Sequence, residues 1–204
     1  DELPHPSTLC KAMDRLTMAL CRRLLQRTTQ LQELGDVTAI DALGFNRIAA
    51  SGRYARRTNY RFLAMWTTLL GVCQSSTILH LHCSASRPYD TQIGWQVLAR
   101  NLARIRTVTT DKVFDLAELR DELRENGVQS INKHREFDRL DRAHNARLGD
   151  DVYHRRSVVE SAFAKLNQSY GDRLTARTWN GQFRDLAIVA AVKHIDSGLE
   201  TSHH

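Results

Sequence analysis

Leu9, Met13, Leu16, Leu20, Leu24 and Leu31 recur at helical spacing after Pro6-Ser7. The spacing predicts one helix, capped by Ser7 or Thr8 and running to about Leu34, where Gly35 stops it. From Val37 the texture changes to strands. Val37-Thr38-Ala39-Ile40-Asp41 reads as a short apolar strand ending in an acid, with Leu43-Gly44-Phe45 turning the chain. Phe62 to Val72 and Thr77 to Cys83 read as two more strands joined by the polar Gln74-Ser75-Ser76 turn, an antiparallel meander. The pattern then alternates: a helix over Asp90 to Leu102, a strand over Ile105 to Thr110, a helix over Leu116 to Glu125 ended by Asn126-Gly127, and a strand over Val128 to Ile131. Lys133 to Asp151 carries both charge signs without a period and predicts an inserted loop. Tyr153 to Gln168 and Asn180 to Ile195 are predicted helices.

Three antiparallel strands followed by alternating helices and strands is the order of an α/β, ribonuclease-H-like mixed sheet flanked by helices. The expected organisation is an N-terminal helical segment over 1–35, a ribonuclease-H-like domain over 36–198 and a tail over 199–204. In that order three acids stand out. Asp41 ends the first strand, Asp111 follows the fourth, and Glu160 lies in the late helix. If the first and fourth strands are adjacent and parallel, their carboxyl ends meet at one edge, within reach of the helix. Three hard oxygen ligands there would suit Mg²⁺, and paired metals can assist both the attacking and the leaving oxygen in phosphoryl transfer. Tyr153, Arg156, Glu160 and Asn167 share one helical face, so Arg156 can meet the Glu160 carboxylate or a phosphate.

Charge sharpens this picture. Lys plus Arg number 29 against 23 Asp plus Glu, a net charge of +6, which points to a polyanionic partner. Arg53, Arg56, Arg57, Lys133, His134 and Arg135 are candidate phosphate contacts. The longest apolar runs fall well short of a membrane span. Four cysteines without a CxxC pair read as reduced thiols of a cytoplasmic protein. His80 and His82 alternate on one strand and read as ordinary strand residues. The chain opens at Asp1 without a methionine, as a piece of a longer protein would.

The segment Tyr153-His154-Arg155-Arg156-Ser157-Val158-Val159-Glu160, with Tyr170-Gly171 downstream, resembles the tyrosine–arginine–glutamate signature of DDE transposases of prokaryotic insertion sequences. Ile40-Asp41-Ala42-Leu43-Gly44-Phe45 is similar to that family's first-aspartate motif, and Thr110-Asp111-Lys112-Val113-Phe114-Asp115 to its second. Asp90-Thr91-Gln92-Ile93, Lys133 to Phe137, Asn145 to Leu148, Trp179 and Gln182-Phe183-Arg184 resemble the haloarchaeal members in particular. The resemblance spans essentially the whole chain in order. It implies that Asp41, Asp111 and Glu160 bind Mg²⁺ or Mn²⁺, that Tyr153 and Arg156 assist on the catalytic helix, and that Asn167 takes a DNA-contact position. The implied reaction is DNA cleavage at element ends and strand transfer into target DNA. The implied setting is a nucleoid-associated homo-oligomer on double-stranded DNA. The chain departs from the pattern at Asn167, where a lysine is usual, at Val113 for glycine, at Leu43, Asn46 and Tyr89. Such losses behind a metal site cost roughly 10–100-fold. The alternative expectation is therefore an impaired or truncated transposase remnant that only binds DNA or regulates.

Overall fold

Thr17 divides the leucine stripe in two. Its backbone is extended (ψ 157°) and its hydroxyl accepts the Leu20 N–H at 3.2 Å, which caps a new helix. The single helix predicted over 7–34 is thus corrected to α1 (Pro6–Asp14) and α2 (Met18–Thr28), followed by a 3-10 turn at Thr29–Leu31. The computed structural model describes residues 3–47, 65–84, 90–111, 114, 116–134, 136–148, 157–161, 164, 173–174, 176 and 178–202.

The strands are β1 (Val37–Arg47), β2 (Met65–Val72), β3 (Ile78–Ser84), β4 (Thr107–Thr110), β5 (Gln129–Asn132) and the two-residue β6 (Arg173–Leu174). Where a turn was expected at Leu43-Gly44-Phe45, β1 continues. β2 offers partners as far as Phe45↔Met65, so the backbone donors and acceptors of that stretch are paired rather than turned into solvent. The sheet order is β3-β2-β1-β4-β5, with β6 beside the end of β1. β1, β2 and β3 run antiparallel in sequence, whereas β4 lies parallel to β1 and β5 parallel to β4. This is the mixed, ribonuclease-H-like sheet that the element order predicted.

Alternation along the strands separates two cores. Val37 and Ala39 of β1 point to a layer containing Cys21, Leu25, Val159, Phe183 and Ala187, while Ile40 points to one containing Val97, Leu98, Val108, Phe114 and Leu123. The first layer is built by α2 and the long α6 (Trp179–Ser202), the second by α3 (Asp90–Ala99) and α4 (Ala117–Glu125). α6 carries on past Ile195, so 199–202 is helix rather than loose tail. Trp179 and Phe183 stack at 6.2 Å, Arg22 lies over the Phe183 ring, and Arg184 reaches back to Asp14 at 3.1 Å. Those late motif residues thus fasten α1 and α2 to the sheet.

The stretch expected as a loop contains α5 (Arg139–Arg147). It has no buried residue and so no apolar period, but Asp138 and Asp141 form a reciprocal capping box at its start. Among the described cysteines Cys10 is exposed and Cys21, Cys73 and Cys83 are buried, all as free thiols. No helix among the described residues is long and apolar enough to cross a membrane.

One polar clasp crosses the first core. His194 of α6 is 2% exposed; its Nε2 accepts the Ile78 N–H at 3.0 Å, and its Nδ1 meets the Thr28 hydroxyl at 3.0 Å. Because Nε2 is an acceptor, the ring proton sits on Nδ1 and donates to Thr28, whose own hydroxyl donates to the Leu25 carbonyl. Burial first, then the neighbouring Lys193 charge, pushes the imidazole down to about 4. The neutral ring joins α2, α6 and β3.

Candidate active site

Register sets the geometry of the acids. In the parallel β1/β4 pair, Val37, Thr38 and Ala39 face Thr107, Val108 and Thr109. Asp41 lies two residues past Ala39 within β1, and Asp111 directly follows β4; both are half-buried. Two-residue alternation gives Asp41 the face of Ala39. The Asp41 carboxylate accepts the Ala42 N–H at 2.9 Å. The Asp111 carbonyl accepts the Phe114 N–H at 2.9 Å, which closes the turn after β4.

Glu160 arrives over that face. Residues 157–161 are helical, and Val159 is 1% exposed in the layer beneath α6. Val159 rests on Gly71 of β2, where an added Cβ would stand 3.2 Å from its methyl group; Gly71 itself pairs with Ala39. An isolated glycine in a strand marks a close approach, and here it seats the helix beside the acid-bearing part of β1. Glu160 is on the exposed side. Among the described residues, no group of three or more His, Cys, Asp or Glu side chains is gathered tightly enough to hold a metal ion. The fold therefore sets Asp41 on β1 and Asp111 after the neighbouring β4, and packs Val159, next to Glu160, in the layer of Ala39, without drawing the three carboxylates into one cluster. The donor chemistry of Asp41 and Asp111 suits a hard divalent cation: carboxylates, not thiols or imidazoles, on β1 and directly after its neighbour β4.

Lys133 follows β5. Asn132, which pairs with Thr110, is the last residue of β5, and Lys133 comes directly after it. His134 is partly buried, its Nδ1 3.2 Å from Asp141. Tyr153, Arg156, Asn167, Arg53, Arg56, Arg57 and Arg135 lie outside the described residues, as do Lys112 and Val113. His80 and His82 lie on the edge strand β3, each with one buried ring nitrogen lacking a partner among the described groups. Burial and then the Arg100 charge push His80 down to about 4 and lower His82 as well, so both are neutral at pH 7.

Gly94 is a close-packed position behind Ile40 and Phe114 that the sequence pattern did not reveal. A Cβ there would collide with the Phe114 ring and approach Ile40 at 3.7 Å. Ile40 precedes Asp41, and Phe114 closes the Asp111 turn, so one glycine of α3 seats the backs of both acid-bearing segments. The signal available was a lone glycine inside a helical pattern, which costs about 1 kcal/mol against alanine and calls for a packing reason. Gly94→Ala is expected to lower stability by about 1 kcal/mol in thermal melts, as overpacking of 1–3 kcal/mol is partly offset by helix propensity. DNA cleavage is expected to fall at least about 10-fold, because small displacements of reacting groups are costly. Adding Phe114→Leu should recover part of both losses.

The sheet order and its flanking helices define a ribonuclease-H-like core. The profile described as the transposase DDE domain matches residues 36–192. The chain belongs to that family, the DDE transposases, enzymes that cleave and transfer DNA. No curated protein matches the chain. Among solved structures, the piggyBac transposase in a synaptic complex with hairpin DNA is similar, with a TM-score of 0.54 and 10% identity over 100% of this chain. The chain spans 56% of that protein, a likeness of fold. The catalytic core domain of BIV integrase aligns with 79% of this chain and 97% of its own at 10% identity, with a TM-score of 0.35, too loose to carry an argument.

Proposed function

We propose that Asp41, Asp111 and Glu160 form the cleavage centre of an insertion-sequence transposase of the kind found in haloarchaea. It would act on double-stranded DNA as a homo-oligomer at the nucleoid. In this reading residues 36–198 are the catalytic unit, preceded by the helical segment 1–35 and followed by 199–204. What supports the reading is the match of the transposase DDE domain over residues 36–192, on a fold in which Asp41 lies on β1 and Asp111 directly follows its parallel neighbour β4.

The three carboxylates would hold Mg²⁺ or Mn²⁺, which when bound supplies Lewis acidity and a readily ionised water. The chain's own contribution is placement. The Ala42 N–H orients one Asp41 oxygen, and the Phe114 turn fixes Asp111. In cleavage, a water oxygen bonds to phosphorus, the 3′-oxygen of the cut strand leaves, and the water's proton ends on it. In transfer, that 3′-hydroxyl bonds to a target phosphorus, losing its proton as the target's own 3′-oxygen leaves and takes one up. Tyr153 and Arg156 would steady the phosphate or Glu160. Arg53, Arg56, Arg57, Lys133, His134, Arg135 and Asn167 would contact the DNA backbone, a salt-sensitive and sequence-independent attraction.

The test is cleavage of a duplex carrying the DNA ends that flank the gene, titrated with Mg²⁺ and Mn²⁺. The expected result is metal-dependent cutting that disappears in Asp111→Ala while duplex binding remains. Binding without cutting in the native chain would instead identify a DNA-binding remnant.

A further inference from the structure

α6 is apolar on two sides. Phe183, Leu186, Ala187, Ala190 and His194 are buried toward the first core. Ile188, Val192, Ile195 and Leu199 form a second stripe, about 130° around the helix from that face. Their spacings of four, three and four are those of a seam that lets one helix interlock with another. Ile188 is partly buried, while Val192, Ile195 and Leu199 keep 36, 40 and 56% of their surface exposed. A helix that is apolar all round is ordinarily covered on every side, and no described element covers this stripe. α2 widens it. The two helices run side by side in one direction, with Arg22 at Phe183, Thr28 at His194 and Leu31 against Gly198. Leu31 is itself 55% exposed and continues the stripe.

The stripe and Leu31 offer roughly 350 Å² of apolar surface per copy, a size at which exposed patches mark contacts. Two copies would cover about 700 Å² of it, and about 1,200 Å² with the usual polar share, the lower bound for a stable pair. Charge selects the partner. Asp196 and Glu200 border the stripe on the side away from α2, and both are exposed. That acidic border repels DNA phosphates and anionic lipid. Arg23 and Arg27 are exposed on α2. A two-fold axis laid along the stripe sets α2 of each copy over the acidic border of the other, and Ile195 against its own counterpart. We propose that two copies of this chain pair through this face, the stripe of α6 and Leu31 of α2. This rests on the homo-oligomer of the proposed function, to which it gives a surface, and not on the three acids.

The test is sedimentation of the full chain from about 1 to 200 µM, a range suited to a pair near the lower size limit. The native chain should pass from one to two chain masses. Ile195→Lys and Ile195→Glu should each raise the dissociation constant at least about 100-fold, because like charges would meet across an apolar contact. An equal mixture of the two should pair again, as opposite charges then meet. Leu199→Lys and Leu199→Glu, at a more exposed position, repeat the test should the Ile195 variants melt well below the native chain. Leu9→Lys, exposed on α1, is the control and should pair as the native chain does. A native chain that stays single throughout would overturn the pair, as would stripe variants that pair normally. Mixtures that fail to pair would overturn the two-fold meeting. Metal-dependent cleavage by a chain that never pairs would overturn this interface alone. Pairing through the stripe without cleavage would sustain it and remove the catalytic reading.

Discussion

Replacing Asp41 with asparagine is expected to reduce metal-dependent DNA cleavage about 10³-fold, beyond the roughly 10–100-fold that follows loss of a group behind a metal ligand. The amide keeps the size of the side chain and an oxygen for the Ala42 N–H, so the loss reports charge and not packing. Asp111→Asn should cost as much. The double variant should cost little more than either single one, since residues that act as a unit do not add. Stability should move the other way. In the proposed centre the two like charges repel, so each asparagine variant should melt at or slightly above the native temperature. Cleavage rates and melting curves on the same preparations check both halves. Single and double losses that multiply would mean that the two acids work separately.

The second large effect is on stability against acid. His194 falls to about 4 in the folded chain from the ordinary 6.5. A base that is harder to protonate when folded adds its full stability above about pH 6.5 and loses it progressively as pH falls toward 4. The shift corresponds to about 3 kcal/mol across that window. In structural terms, a proton on Nε2 would break its bond from Ile78. His194→Leu should be about 2 kcal/mol less stable at pH 7.5, where Ile78 N–H and Thr28 lose a buried partner, yet decline less in acid. Urea midpoints at several values between pH 7.5 and 4 should therefore converge or cross near the acid end. His80 and His82 contribute the same sign in both proteins and cancel from the difference. Parallel decline of the two curves would count against the clasp.

Much of the fold was legible because the strands carry unbroken apolar runs bounded by turns, and their order left few topologies. Asp41 was expected to end the first strand, but β1 continues past it to Arg47, while Asp111 does follow β4 directly. What periodicity could not register was polar chemistry acting alone. Thr17 breaks the first helix by a single hydroxyl bond, and α5 is held by two aspartates with no buried face to betray it. β1 outran its expected turn because its partner lies far along the chain. His194 did leave a trace, since it shares the helical face of Ala187, Ala190 and Ala191. The glycine seats under Val159 and Phe114 depend on distances between elements, which no local pattern records. Glu160 was assigned by its place in the late helix and by its motif; the fold buries the adjacent Val159 in the layer of Ala39 and leaves Glu160 exposed.

The clasp between Thr28 and His194 joins positions 166 residues apart. α2 cannot complete its layer until His194 has been synthesised. Contacts that close so large a loop form late and slow folding. During translation the side of the sheet bearing Ala39, Leu69 and Leu81 stays open to water until α6 emerges, and a nascent chain stalled before that point is the species most prone to aggregate.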